Sequence, residues 1–107
     1  MDENIFNFSY LEFKENIKEN KLVLIDFWAD WCEPCKFVSS VLNSLYEKYK
    51  GKVLIGKLNI DQYSRVIDEY NIRSIPTLIL FKNDHIIDRK VGSISKNKLD
   101  NFLKKNI

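Results

Sequence analysis

Apolar residues in the first third of the chain follow two different patterns. From position 10 they recur at roughly helical spacing behind the capping-box sequence Ser9 to Glu12, which predicts a first helix over 10–19. Residues 22–29, LVLIDFWA, are almost continuously apolar and rich in strand-forming side chains, which is typical of a central strand covered on both faces. A weaker strand is predicted before the first helix, at 5–8.

The middle of the chain continues this alternation of helix and strand. From Pro34 onward apolar residues recur at helical spacing, which predicts a long second helix that stops near Gly51. Residues 53–59 are expected to form another strand, and residues 62–70 a short helix with Asp61 as its N-cap. A strand, a helix and a second strand in this order favour a parallel βαβ unit.

The last third predicts a hairpin and a final helix. Residues 77–81 and 86–91 have strand character, and the turn residues Asn83 and Asp84 lie between them. Ser95 is expected to cap a helix that carries the apolar residues at 99, 102 and 103. The whole pattern predicts an α/β fold, with a central mixed sheet of about five strands flanked by about four helices.

Length and charge add few constraints. The chain has 107 residues, which is enough for one domain with its own core, and we expect a single domain over 1–107. Basic residues exceed acidic ones by 17 to 15, so the net charge of +2 indicates neither a nucleic-acid nor a membrane partner. The first residues, Met1 to Asn4, lack the cationic and apolar parts of a signal peptide, and we therefore expect a cytoplasmic protein.

The two cysteines provide the candidate chemistry. Cys32 and Cys35 follow the predicted central strand and fall at the start of the second helix. Two intervening residues on a helical turn let the sulfurs form a small-ring disulfide. The positive end of the helix dipole favours thiolate at Cys32, so we expect Cys32 to attack disulfides and Cys35 to resolve the mixed disulfide.

Other uses of this cysteine pair stay open at this point. A zinc site needs four ligands, but the chain offers two cysteines and one histidine, His85, in the predicted hairpin. A single CxxC is also compatible with inert buried thiols. Its place at a junction of strand and helix favours redox exchange over both alternatives.

Several motifs in the same order and spacing resemble the thioredoxin family along nearly the whole chain, although the first twenty residues match poorly. They are VLIDFWADWCEPCK at 23–36, KLNIDQ at 57–62, YNIRSIPTLILF at 70–81 and KVG at 90–92. The resemblance implies the thioredoxin fold and an electron carrier, monomeric in our expectation, that reduces disulfides in client proteins. Its partner would be thioredoxin reductase, which uses flavin and NADPH. The chain itself binds no cofactor in this reading, since its three glycines form no dinucleotide fingerprint.

The resemblance assigns roles to three residues outside the cysteine motif. Asp26 would be a buried proton acceptor beneath Cys35, whereas the residues alone also allow an ordinary satisfied polar group at a strand end. Lys57, in the adjacent parallel strand, would tune that proton or else extend as a surface lysine. Pro76 would follow a cis peptide bond and lie against the disulfide.

An apolar patch around Cys32 is the expected client-binding surface, and such a patch binds flexible segments with little side-chain selectivity. Trp28 could either shape this site or simply pack in the core. The residues expected to contact substrate are Trp31, Glu33, Pro34, Ile60, Ser74, Ile75, Val91 and Gly92.

Glu33 departs from the family, whose members usually carry glycine there. A carboxylate next to Cys32 disfavours a second negative charge, which should make the disulfide slightly harder to reduce and the dithiol a stronger reductant. Solvent screening keeps this effect small. Ser74 and Asp84 also replace common family glycines, and Ser74 could alter the substrate groove.

Two further functions remain possible on the sequence. The chain could be a binding module whose cysteines are incidental, although the intact set of Cys32, Cys35, Asp26 and Pro76 argues against this. It could also be an oxidant or isomerase of an oxidising compartment, which the absence of a recognisable signal peptide disfavours.

Overall fold

The computed structural model describes residues 5–107 and contains the predicted elements in the predicted order. The strands of the described chain are β1 (Phe6–Asn7), β2 (Leu22–Trp28), β3 (Leu54–Asn59), β4 (Thr77–Lys82) and β5 (His85–Val91). The helices are α1 (Tyr10–Glu19), α2 (Glu33–Tyr49), α3 (Arg65–Glu69) and α4 (Lys96–Lys104).

The strands form one mixed sheet in the order β1-β3-β2-β4-β5. β1 and β2 run parallel to β3, whereas β4 is antiparallel to both β2 and β5. The parallel pairing of β2 with β3 follows from the long crossover helix α2 between them. The mixed sheet with helices on both faces confirms the predicted fold class.

The central strand β2 separates two apolar cores. Because side chains alternate along a strand, Leu22 and Leu24 point to one face and Val23, Ile25 and Phe27 to the other. The first face is covered by α2 and α4, and the second by α1 and α3. The continuous apolar run at 22–29 therefore reflects burial of β2 on both sides.

Helix caps confirm two predictions and correct a third. Ser9 and Glu12 form a reciprocal capping box at α1, and the Ser95 hydroxyl accepts a hydrogen bond from the Lys98 N–H at α4. Asp61 was predicted to cap the third helix, but this prediction is wrong. The chain first makes turns back to the Asn59 carbonyl, so the helix starts later, behind Ser64.

The hairpin between β4 and β5 turns at the predicted residues. Asn83 and Asp84 have φ angles of +51° and +71°, in the left-handed region that short polar side chains tolerate better than most others. Two successive residues of this kind are typical of the tight turns that match the twist of antiparallel strands. Asp84 thus meets the backbone requirement here without a glycine.

A polar cluster joins α2 to α4 on the outer side of the core. The Tyr49 hydroxyl donates hydrogen bonds to the carboxylate and the backbone oxygen of Asp100, and Lys48 Nζ lies 2.8 Å from the same carboxylate. Hydrogen bonds from Lys48 and Tyr49 lower the pKa of Asp100 from 3.8 to about 2. Burial and the bond to Asp100 raise the pKa of Tyr49 to about 12. The ionised carboxylate is therefore the form that connects the two helices.

We predict that Asp100→Asn lowers stability at neutral pH and that this loss disappears in acid. The folded state holds the pKa of Asp100 below its ordinary 3.8, so its stabilising effect is complete above that pH and is lost as pH falls toward about 2. Urea unfolding at a series of pH values measures the difference between the two proteins. Glu47→Gln, an exposed change on α2 beside Lys48, is the control. A difference that stayed constant from pH 7 to pH 2 would contradict this account.

Candidate active site

The two cysteines lie at the start of α2 and form a disulfide with a Cα separation of 5.3 Å. Cys32 is the N-cap residue, and Pro34 lies in the first turn, where the lack of an N–H costs no helical hydrogen bond. The Cys35 N–H donates a hydrogen bond to Cys32 Sγ over 3.2 Å. A helix N terminus thus directs an amide donor at the Cys32 sulfur.

A short turn carries the chain from the central strand to this helix. β2 ends at Trp28, and the Cys32 N–H then donates to the Ala29 carbonyl over 3.2 Å. This turn places the disulfide at the carboxyl end of the middle strand, where ligands of open α/β sheets commonly bind. Both cysteines are nearly buried, with exposures of 4% for Cys32 and 2% for Cys35.

The loop before β4 packs beside the disulfide. The Ile75–Pro76 peptide bond is cis, and Cys32 Sγ lies 3.7 Å from the Ile75 carbonyl oxygen. The Pro76 carbonyl accepts a hydrogen bond from the Gly92 N–H over 2.8 Å, which attaches the end of β5 to this loop. Two segments distant in sequence thereby join the helix N terminus in one site.

Asp26 and Lys57 lie on the face of the sheet that α2 covers. Asp26 is fully buried, and its register partner across the parallel β2–β3 pair is Lys57. Lys57 is only 7% exposed, with Nζ 3.1 Å from Ser39 Oγ and 4.4 Å from the centre of the Trp28 ring. The lysine therefore lies inside the protein, between β3 and α2, and does not extend along the surface.

Trp31 forms an exposed aromatic wall beside the disulfide. Its side chain is 69% exposed, and its Nε1–H donates to Asp61 Oδ2 over 2.9 Å. This hydrogen bond fixes an indole that little packing holds in place. Asp61 was expected only as a helix cap, so the sequence analysis missed its hydrogen bond to Trp31. The one feature of the sequence that could have indicated this contact is that Asp61 follows the carboxyl end of β3.

The other predicted substrate contacts divide by exposure. Ile60 is 8% exposed and belongs mainly to the core, and Ile75 and Gly92 are partly buried. The residues that lie at the surface are Glu33, Pro34, Ser74 and Val91. The accessible rim around Cys32 thus combines the apolar Val91 with the polar Glu33 and Ser74, which were also among the expected contacts.

Glu33 has a partner one turn further along the helix. Lys36 Nζ lies 2.8 Å from Glu33 Oε2, and both side chains are largely exposed. The hydrogen bond from Lys36 to Glu33 raises the pKa of Lys36. The Lys36 ammonium group therefore lies against the Glu33 carboxylate. Glu33 is the residue at which this cysteine motif differs from that of the family it resembles.

Residues 5–107 contain neither a cluster of candidate metal ligands nor a helix suited to cross a membrane. Within this part of the chain, no three histidine, cysteine, aspartate or glutamate side chains cluster in a way that could hold a metal ion. None of its helices combines the length and apolar character needed to cross a membrane.

A disulfide at a helix N terminus, at the carboxyl end of a central strand and beside a cis-proline loop, defines the class of dithiol–disulfide oxidoreductases with a thioredoxin fold. The family model "Thioredoxin" matches residues 4–105. The chain belongs to the thioredoxin family, and it is a protein-disulfide reductase that uses its own cysteine pair. The family implies thioredoxin reductase and disulfide-containing client proteins as its partners.

Individual relatives agree with this assignment. A thioredoxin of Pseudomonas aeruginosa is 42% identical over 108 residues and is covered, like this chain, at 100%. A thioredoxin of Buchnera aphidicola from Acyrthosiphon pisum is 45% identical over 96 residues, which are 89% of each chain. The crystal structure of oxidised mitochondrial thioredoxin 3 from Saccharomyces cerevisiae superposes with a TM-score of 0.84, at 29% identity and 94% coverage of both chains.

We predict that Asp61→Leu reduces kcat/KM for protein disulfides, because the Trp31 indole loses its acceptor. Loss of one such hydrogen bond corresponds to about a two- to tenfold effect. Asp61→Asn keeps an acceptor oxygen and should retain most of the activity. Insulin reduction measures the rate, and tryptophan fluorescence reports the indole environment. Equal activity of the two variants would show that the hydrogen bond does not position Trp31.

We also predict that Glu33→Gln and Lys36→Gln shift the reduction potential in opposite directions. Removing the carboxylate favours the Cys32 thiolate and should make the potential less negative, whereas removing the ammonium should make it more negative. Since both groups are exposed, each shift should be small, on the order of 10 mV, and should shrink at high salt. Equilibration with a dithiothreitol series measures the potentials, and shifts of the same sign would refute this interpretation.

Proposed function

We propose that this protein reduces client disulfides by two successive thiol exchanges, with Cys32 as the nucleophile and Cys35 as the resolving thiol. The observation that carries the assignment is the hydrogen bond from the Cys35 N–H to Cys32 Sγ at the N-cap of α2. In the reduced protein the same amide and the helix dipole would stabilise a negative charge on that sulfur and not on Cys35.

In the first exchange, the Cys32 thiolate attacks one sulfur of the client disulfide. A bond forms between Cys32 and that sulfur, the client S–S bond breaks, and the other client sulfur leaves as a thiolate that takes up a proton. In the second exchange, the Cys35 thiolate attacks Cys32 Sγ and displaces the remaining client sulfur. Two electrons have then passed to the client, and the Cys32–Cys35 disulfide remains.

We propose Asp26 as the acceptor of the proton that Cys35 must lose before the second exchange. Support comes from its full burial on the face of β2 that α2 covers, since Cys35 belongs to the first turn of that helix. Lys57, its register partner, would tune this proton transfer. The contacts of Lys57 with Ser39 and Trp28 would hold its ammonium group in position.

The client segment would bind across the rim formed by three parts of the chain. Trp31, with Glu33 and Pro34, would contact it on the helix side, and Ser74 and Ile75 on the side of the cis-Pro76 loop. Val91 and Gly92 would close the surface at the end of β5, while Ile60 would support it from the core. The carbonyl of Ile75, 3.7 Å from Cys32 Sγ, would accept a hydrogen bond from an extended client backbone.

The proposed cycle ends with reduction of the Cys32–Cys35 disulfide by a separate protein. The oxidised protein would be recycled by a thioredoxin reductase that carries flavin and takes its electrons from NADPH, while this chain binds neither. We propose that it acts as a monomer, as a single domain, in the cytoplasm.

Trapping experiments test the assignment of the two cysteines. Cys35→Ser should abolish turnover of insulin and accumulate a stable mixed disulfide through Cys32, because the second exchange has no thiol. The matched variant Cys32→Ser should form far less adduct, since Cys35 lies deeper in the helix. Mass spectrometry of the trapped species identifies the linked residue. Equal trapping by both variants would refute the assignment, and full cellular function of a variant without either thiol would favour a binding module.

A further inference from the structure

A groove of about 340 Å³ lies between the end of β5 and the side of α4. Its floor is apolar, with Ile94 and Phe102 buried beneath it and Val91 at its edge. Three lysines line it, Lys90 from β5 and Lys98 and Lys105 from the α4 side. The arrangement combines an apolar base with a strongly basic rim.

Two of the three lysine ammonium groups lie near this floor. Lys90 Nζ and Lys105 Nζ lie 5.7 and 5.9 Å from the centre of the Phe102 ring. One acidic group is close, since Asp88 Oδ2 lies 3.6 Å from Lys105 Nζ. The Lys105 side chain of this pair is exposed, so the pair is weak, and with three lysines and one aspartate the groove keeps an excess of positive charge.

The groove is continuous with the site of disulfide exchange. Val91 and Gly92, which belong to the proposed client rim, also line this groove. The Gly92 N–H is hydrogen-bonded to the Pro76 carbonyl, and the preceding carbonyl, of Ile75, lies 3.7 Å from Cys32 Sγ. β5 is an edge strand of the sheet in the described chain. A client segment that extends from the disulfide past the cis-proline loop would therefore lie close to the lysines of the groove.

We propose that this groove binds an acidic, extended segment of the client protein next to its disulfide. Carboxylates of the segment pair with Lys90, Lys98 and Lys105, and an apolar side chain between them packs on Phe102. The proposal rests on the proposed function, because it extends the client surface beyond the rim around Cys32. Electrostatic complementarity of this kind selects among partners and speeds their encounter.

Two disulfide peptides that differ only in charge test the proposal. One carries glutamates on both flanks of its disulfide and the other carries glutamines, each with one leucine per flank. Chemically reduced protein is used without any reductase, so that only the exchange with the peptide is measured. We expect wild-type protein to reduce the glutamate peptide about fivefold faster than the glutamine peptide at low salt, and the ratio to fall as salt rises.

A triple variant, Lys90→Gln, Lys98→Gln and Lys105→Gln, should bring this ratio close to one. The control variant, Lys21→Gln, Lys50→Gln and Lys52→Gln, has the same change in charge at a groove near the opposite ends of β2 and β3 and should keep the ratio. A wild-type ratio of one, or equal losses in both triple variants, would overturn the proposal, the latter because only net charge would then matter.

A binding measurement separates failure of the groove from failure of the exchange chemistry. Fluorescence anisotropy with serine in place of the peptide cysteines should give the same preference for the glutamate peptide on the oxidised protein, lost in the groove variant alone. If the oxidised protein shows no preference for the glutamate peptide, the proposed role of the groove is wrong, regardless of the exchange rates that are measured. A wild-type protein that binds the glutamate peptide preferentially but reduces neither peptide would instead contradict the proposed function.

Discussion

The central strand β2 is the element on which the rest of the structure depends. Its backbone is hydrogen-bonded to β3 on one edge and β4 on the other, and its side chains separate the two cores. Burial of this kind leaves the strand little freedom, because a shift by one residue would exchange every side chain between the two faces. The turn after Trp28 starts from this rigid strand, so the N terminus of α2 lies at a fixed position. The position of the disulfide is therefore set by the packing of β2 between the two cores, several residues before Cys32.

Two ionisable residues of the central sheet are buried on the face that α2 covers. Asp26 is buried in an otherwise apolar strand, and Lys57 lies between β3 and α2 against Ser39 and Trp28. Burying such groups opposes folding unless they find partners. Their presence on the α2 face agrees with the use that the proposed mechanism makes of them, since a proton acceptor next to a buried thiol must be inside the protein.

The surface near the site combines features that the cysteine motif alone does not indicate. Lys36 Nζ lies 2.8 Å from the carboxylate of Glu33, so any effect of Glu33 on Cys32 is opposed by a neighbouring positive charge. Asp61 holds the exposed Trp31 indole, and lysines of β5 and of the α4 side line a groove that also contains Val91 and Gly92. Each of these features brings together residues from different elements or from different turns of one helix, and in the proposed function each would affect how a partner approaches the disulfide.

The sequence by itself determined the order of elements, the burial of β2 and the position of the cysteines at a helix start, because periodicity and capping are local properties of the chain. It also predicted roles for Asp26, Lys57 and Pro76, but only through the family motifs that contain them. The tertiary structure alone decided the start of α3 at Arg65, the contact between Trp31 and Asp61, and the near burial of Ile60. It also decided which lysines share a groove. These features depend on distances between segments that are far apart in the sequence. Local patterns of apolar and polar residues carry no information about such distances.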